Sequence, residues 1–127
     1  MQTARESTIT AAILKALNKL PGCVARKRHG TPYAVAGDPD ITGCWYGQHF
    51  EFEVKRPGEF PTKLQERRLD EWRQAGATVA VVTSPAQAIL ALADIGAQNP
   101  NPTDPSASPT AHKAVAPTTG RQEAPRA

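Results

Sequence analysis

Residues 49–55 read His-Phe-Glu-Phe-Glu-Val-Lys, and this stretch decides the fold that the sequence predicts. Apolar side chains at positions 50, 52 and 54 alternate with charged side chains at 51, 53 and 55. A period of two is typical of a β-strand whose two faces meet different surroundings. We therefore predict a strand over residues 49–55 and place the other elements relative to it.

Outward from this strand, apolar spacing and turn residues predict an α/β fold with a small mixed sheet flanked by helices. The order of elements is α-β-β-β-α-β-α, and the helix after the central strand suits a crossover to a parallel strand. Gly47-Gln48 is predicted as a tight turn, and the strand over 77–83 is predicted to be buried because it is almost continuously apolar. The other predicted elements are helices over 5–19, 62–75 and 85–93, and strands over 23–26 and 41–46.

The chain of 127 residues is long enough for one compact domain, which we assign to residues 1–95. Residues 96–127 hold six of the 12 prolines among Ala, Thr and Ser, which is typical of a disordered tail. The net charge of +3 and the pI of about 9.1 suit a nucleic-acid partner but do not identify one. Two widely spaced cysteines and the absence of a long apolar run predict a cytoplasmic protein.

Glu53 and Lys55 leave the same face of the predicted strand because they are two residues apart. A carboxylate there can hold a divalent cation, and an ammonium beside it can orient water or stabilise charge on a phosphate. The plainer alternative is an exposed face with an ion pair, on which Glu51 is a competing carboxylate. Asp40 follows Pro39 at the start of the preceding strand, a pattern that is also typical of turns. Because a hairpin would bring Asp40 beside Glu53, we predict two converging carboxylates, which suit Mg²⁺.

Two further polar residues are predicted to face inward from the starts of helices. Glu6 shares a helical face with the apolar residues at 9 and 13, and Gln65 shares one with Leu69 and Trp72. Each also fits a capping box, in which Thr3 pairs with Glu6 and Thr62 with Gln65. The spacing leaves the site role and the capping role open for both residues.

Basic side chains lie close in sequence to these candidates. Arg26, Lys27 and Arg28 precede the Asp40 loop, Arg56 follows Lys55, and Lys63 begins the second helix. Such groups can bind backbone phosphates around a cleft, which makes them candidate DNA-binding residues. A solvated charged surface is the alternative for each of them.

Taken together, these motifs resemble the PD-(D/E)XK nuclease superfamily, and more narrowly the small VRR-NUC nucleases of phages and bacteria. The resemblance covers about residues 5–93, and the order and spacing of its short motifs make it specific. The segments that carry it are Glu6, 37–41 (Gly-Asp-Pro-Asp-Ile), 52–58 (Phe-Glu-Val-Lys-Arg-Pro-Gly), 61–65 (Pro-Thr-Lys-Leu-Gln) and the step from Gly76-Ala77 into the strand that follows.

The resemblance implies a restriction-endonuclease-like core and a phosphodiester hydrolase that uses Mg²⁺ or Mn²⁺. Asp40, Glu53 and the backbone carbonyl of Val54 would bind the metal, and Glu6 would complete or support the site. Lys55 would position water or stabilise the transition state, and Gln65 would assist nearby. The implied substrate is branched DNA, such as a four-way junction, and the implied assembly is a homodimer.

Two other functions fit the same residues. One is a general DNA nuclease without preference for branched DNA. The other is a non-catalytic DNA-binding or assembly module that keeps the fold and not the chemistry, although such a module needs no acidic cluster in a basic cleft. In the blandest interpretation, the carboxylates are only helix caps and ion pairs in a small α/β protein.

Overall fold

A computed structural model describes residues 4–98 and confirms the predicted order of elements. Within these residues, no helix is both long and apolar enough to cross a membrane. The tail predicted from residue 96 onward lies outside the described residues, apart from its first three. The elements are α1 (Glu6–Leu17), β1 (Cys23–Lys27), β2 (Ile41–Trp45), β3 (Gln48–Val54), α2 (Lys63–Gln74), β4 (Thr78–Val82) and α3 (Pro85–Gln98).

β2 and β3 form a hairpin whose two-residue turn fixes their register. The turn consists of Tyr46 and Gly47, with φ angles of 46° and 85°, so the prediction of Gly47-Gln48 is wrong by one residue. Positive φ at both central residues matches the twist of two antiparallel strands. The turn sets Trp45 opposite Gln48 and, further along the ladder, Ile41 opposite Phe52.

The sheet contains four strands in the order β1-β2-β3-β4. β1 and β2 are antiparallel, as are β2 and β3, while β3 and β4 are parallel. α2 makes the connection between the parallel strands, so the predicted crossover is confirmed. Its start is fixed by Thr62 and Gln65, and Gly76 follows its end with φ of 109°, a conformation that suits glycine after a helix.

Because apolar and charged residues alternate along β3, its two sets of side chains face opposite sides of the sheet, and a different layer of helices covers each side. Phe50, Phe52 and Val54 are fully buried against apolar residues of α1 and α3, including Ile13 and Leu92. On the opposite face, α2 covers the glutamates. Both faces of β3 are therefore buried, because one layer of helices packs on each side of the sheet.

Two predicted features of the C-terminal half are wrong in detail. β4 is an edge strand and not a buried one, and Val81 near its end is 39% exposed. An apolar run cannot by itself show whether a strand has one neighbour or two. α3 continues to Gln98, beyond the helix end predicted at residue 93, because a single glycine such as Gly96 costs a helix only about 1 kcal/mol.

Gly43, in the middle of β2, provides a test of the packing between the hairpin and the core. A Cβ at this position would overlap the Phe50 ring and lie 2.5 Å from the carbonyl oxygen of Val24. We expect Gly43→Ala to lower the free energy of unfolding by about 2 kcal/mol, as overpacked core substitutions do. Urea denaturation measures this change.

Gly30→Ala is the matched control, because nothing lies within 4 Å of a Cβ at Gly30. It should leave the midpoint of unfolding almost unchanged. Equal stability of the two variants would show that β2 does not pack against Phe50 as described.

Candidate active site

Asp40 and Glu53 meet at the end of the sheet where β2 begins and β3 finishes. The register places Ile41 opposite Phe52, so Asp40 lies beside the last residues of β3. The backbone N–H of Val54 donates a hydrogen bond of 2.9 Å to Oδ2 of Asp40. The Asp40 carboxylate thereby adds one hydrogen bond to the end of the β2–β3 ladder, and this bond holds it next to Glu53.

Glu53 is buried, and its two carboxylate oxygens have different surroundings. Oε2 lies 3.7 Å from Nζ of Lys55, whereas the buried Oε1 has no hydrogen-bond partner among the described residues. Burial, followed by the negative charge of Asp40, raises the pKa of the Glu53 carboxyl to about 8, although Lys55 opposes the shift. A buried carboxylate oxygen without a donor is costly, so it calls for a ligand.

Glu6 faces this same end of the sheet, and the alternative role that its spacing left open was a capping box with Thr3. The N-cap of α1 is Arg5, which makes no side-chain cap, and Thr3 lies outside the described residues. Burial and a hydrogen bond with Glu59 raise the pKa of Glu6, and Asp40 also contributes. The side chain of Glu6 was predicted to face inward, and it lies near the carboxyl groups of Asp40 and Glu59.

Glu59 belongs to this cluster and was missed by the sequence analysis. Its hydrogen bonds with Arg56, and then with Glu6, lower the pKa of Glu59 to about 2. Arg56 forms an ion pair of 2.6 Å with it, which engages the guanidinium predicted to bind DNA. The sequence contained no signal for this arrangement, because Glu59 lies in a loop of Pro and Gly without periodicity.

The donor set fits a hydrated divalent cation. Within residues 4–98, no three acidic, His or Cys side chains form a complete metal cage. Mg²⁺ does not require one, since it keeps several waters and binds one or two carboxylates. Asp40 and Glu53 supply two, and the free Oε1 of Glu53 is a suitable ligand atom.

Glu51, the competing carboxylate, is fully engaged in other interactions. Its Oε1 lies 2.5 Å from Nη1 of Arg28, and its Oε2 accepts a 2.6 Å hydrogen bond from the Thr42 hydroxyl. Nε2 of His49 lies 2.6 Å from the same Oε2. Glu51 is as buried as Glu53, but both of its carboxylate oxygens have hydrogen-bond partners. Glu51 is therefore a structural group, and Glu53 is the candidate metal ligand.

Arg28 has a structural role that the prediction of DNA binding did not include. Besides pairing with Glu51, it donates a 3.0 Å hydrogen bond to the carbonyl of Pro39 and packs over the ring of Trp72. Asp38 also joins this network, because its Oδ1 accepts a 3.2 Å hydrogen bond from Nε1 of Trp72. The network fixes the loop that carries Asp40, and it engages the Arg28 guanidinium.

Gln65 forms the capping box that was one of its two alternatives. Its Oε1 accepts a 2.9 Å hydrogen bond from the Thr62 N–H, and its own N–H donates to the Thr62 hydroxyl at 3.1 Å. The carbonyl oxygen of the side chain is therefore committed to the start of α2. Of the predicted DNA-binding residues, Arg26, Lys27, Arg56 and Lys63 are exposed.

The element order and the paired acids at the sheet end define a PD-(D/E)XK nuclease-like fold. Within that class, the fold is that of the VRR-NUC nucleases, as comparison with solved structures shows. A structure named as a VRR-NUC domain matches 69% of this chain and 94% of its own, with a TM-score of 0.58 and 26% identity.

Two further structures share the fold at lower identity. A VRR-NUC domain protein matches 74% of this chain and 89% of its own, with a TM-score of 0.58 and 13% identity. Hjc, a Holliday junction resolvase from the archaeal hyperthermophile Archaeoglobus fulgidus, matches 61% of this chain and 67% of its own, with a TM-score of 0.50 and 22% identity. No family model and no curated protein matches the chain.

The ion pair between Arg28 and Glu51 should contribute to stability, because Glu51 is fully buried. We expect Glu51→Gln to lower the free energy of unfolding by about 2 kcal/mol, since it removes a charged hydrogen-bond acceptor from a buried network. Asp70→Asn is the control, because the Arg73–Asp70 pair is exposed and such pairs contribute less than about 1 kcal/mol. Similar losses for both variants in urea denaturation would contradict the structural role of Glu51.

The raised pKa of Glu53 predicts how stability depends on pH in the metal-free protein. The folded state holds the proton up to about pH 8, whereas the unfolded state loses it near the ordinary value of 4.5. The contribution of Glu53 is therefore fully present below pH 4.5 and is lost as the pH rises through about 8.

Urea denaturation in the presence of chelator, from about pH 5 to pH 9, measures this dependence. Glu53→Gln should flatten the decline because glutamine does not titrate. Parallel curves for the native protein and the variant would show that Glu53 ionises normally.

Proposed function

We propose that this chain is a metal-dependent DNA endonuclease that hydrolyses phosphodiester bonds. One observation carries the proposal: the buried Glu53 keeps a carboxylate oxygen without a partner, between Asp40 and Lys55. Structural carboxylates acquire donors, as Glu51 does, because an unsatisfied buried oxygen destabilises the fold. An arrangement that is unfavourable for stability is typical of a functional site.

Asp40 and Glu53 would hold Mg²⁺ or Mn²⁺, with the Val54 carbonyl as a further ligand and Glu6 supporting the site. When bound, the metal would neutralise charge on the phosphate and lower the pKa of a coordinated water. The backbone of Val54 already holds Asp40 in place through its N–H. Metal binding would also require loss of the proton from Glu53, so affinity should increase with pH.

Lys55 has the position and charge to act on the phosphate or on the attacking water. Its side chain is 12% exposed, and its ammonium is held 3.7 Å from Oε2 of Glu53. A fixed ammonium beside the reacting phosphate stabilises the negative charge that develops in the transition state. Holding it in place before the reaction avoids reorganisation during the chemical step.

The proposed substrate is branched DNA, bound by a homodimer. The likeness to a protein named as a Holliday junction resolvase supports this choice. The exposed Arg26, Lys27 and Lys63 would bind backbone phosphates, which position DNA without reading its sequence. A nuclease without preference for branches would use the same chemistry, whereas a non-catalytic module would not need the unsatisfied Glu53.

Cleavage assays on duplex, flap and four-way junction DNA test the proposal. We expect cutting that requires Mg²⁺ or Mn²⁺, stops with chelator, and falls by at least about 100-fold in Asp40→Asn and Lys55→Met. Asparagine still offers an acceptor to the Val54 N–H, and methionine keeps most of the apolar stem, so both variants should fold. Calorimetric titration with Mn²⁺ should show weakened binding in Asp40→Asn.

Asp70→Asn and Lys19→Met are the matched controls, since both change exposed residues outside the site and should cut normally. Cleavage that survives chelation, or that persists in Asp40→Asn, would contradict the mechanism. DNA binding without any cutting by the native protein would favour the non-catalytic module.

A further inference from the structure

Two aromatic side chains lie outside the core in a way that packing does not explain. The chain contains two tryptophans, two tyrosines and three phenylalanines. Tyr33 is 94% exposed and Phe60 is 82% exposed, while the other five are buried or partly buried. An exposed aromatic ring leaves a large apolar surface in water, so two of them close to one site suggest a ligand with apolar faces.

Both rings lie on loops that are joined directly to the candidate active site. Phe60 follows Glu59, whose carboxylate is paired at 2.6 Å with Arg56, the residue after Lys55. Tyr33 lies in the loop that leads to Asp40, and its neighbours Ala34 and Val35 line a small cavity of about 170 Å³ together with Asp40. Each loop therefore links an exposed ring to an acid of the site.

The two loops are also fixed near the first two turns of α2. Nε of Arg68 donates a 3.0 Å hydrogen bond to the carbonyl of Ala36, and a Cβ at Gly37 would lie 2.7 Å from Leu64. Phe60 is two residues before Thr62, which caps the start of α2. The first two turns of α2 therefore hold both aromatic loops.

The backbone around Tyr33 is ordered by its own turns. The N–H of Tyr33 donates to the Thr31 hydroxyl at 3.2 Å, and the N–H of Ala34 donates to the Thr31 carbonyl at 2.9 Å. On the other loop, the N–H of Glu59 donates to the carbonyl of Arg56 at 3.0 Å. Since fixed loops lose little freedom on binding, they are suitable supports for rings that contact a ligand.

We propose that Tyr33 and Phe60 stack on unpaired bases next to the phosphate that is cut, an inference that rests on the proposed nuclease function. Base faces inside a duplex are covered by their neighbours, so an aromatic side chain can stack on a base only where the strand is unpaired. Stacking accepts any base because every base has a π-face. The preferred substrates are flaps and splayed ends, in preference to intact duplex or a junction whose bases are all paired.

Fluorescence of 2-aminopurine tests the stacking directly. The probe is a flap DNA with 2-aminopurine in the unpaired strand beside the branch, mixed with the native protein in chelator so that no cutting occurs. We expect quenching by the native protein, loss of quenching in Tyr33→Ala and Phe60→Ala, and flap affinity about tenfold weaker in each, within the range for one stacked base. Duplex affinity and the salt dependence should stay the same, because phosphate contacts remain.

Conservative variants and a surface control separate stacking from other roles. Tyr33→Phe and Phe60→Trp should restore quenching, since both keep an aromatic ring. Leu90→Ala is the matched control, because Leu90 is 65% exposed on α3, and it should bind flap DNA normally. Circular dichroism should be the same for all variants, because the replaced side chains are exposed.

Three results would overturn the inference. The first is native-like flap binding by both alanine variants. If the protein still cuts DNA, this result would leave the proposed nuclease function intact. The second is a change in the sedimentation of the alanine variants while the quenching of 2-aminopurine stays unchanged, which would assign the rings to contact between two copies of the chain. Failure of the native protein to bind or cut any DNA would overturn the proposed function together with the inference.

Discussion

The hydrogen bond from the Val54 N–H to the Asp40 carboxylate is the contact on which the site depends. It forms at 2.9 Å because the Tyr46-Gly47 turn sets Ile41 opposite Phe52. A register shift of one residue would exchange the faces of a strand, burying glutamates where phenylalanines now pack. The turn sets this register, and both the packing of the core and the meeting of Asp40 with Glu53 follow from it.

Glu51 and Glu53 lie on the same strand face and are both buried, yet their surroundings give them different tasks. Glu51 lies opposite Thr42 in the sheet and is engaged by the Thr42 hydroxyl, Arg28 and His49. Glu53 lies two residues nearer the end of the sheet and retains an oxygen without a donor. One carboxylate fixes the loop before Asp40, while the other is left for a ligand, so stability and function are divided between neighbours.

Patterns of local spacing predicted much of this structure correctly. The alternation in residues 49–55, the crossover through α2 and the Thr62–Gln65 capping box all depend on residues close in sequence. Other features of the structure depend on residues that are distant in sequence. The apolar run of β4 did not reveal an edge strand, and the basic character of Arg28 did not reveal its buried partner.

The sequence by itself determined which face of β3 is apolar, which acids lie near its end, and that a helix connects it to a parallel strand. It could do so because side-chain direction in a strand follows a period of two. Only the tertiary structure decided that Glu51 is satisfied, that Glu53 is not, and that Glu59 joins Glu6. Glu51 is satisfied by Arg28, which lies 23 residues away in the chain. Fold geometry brings such distant residues together, and local spacing does not encode it.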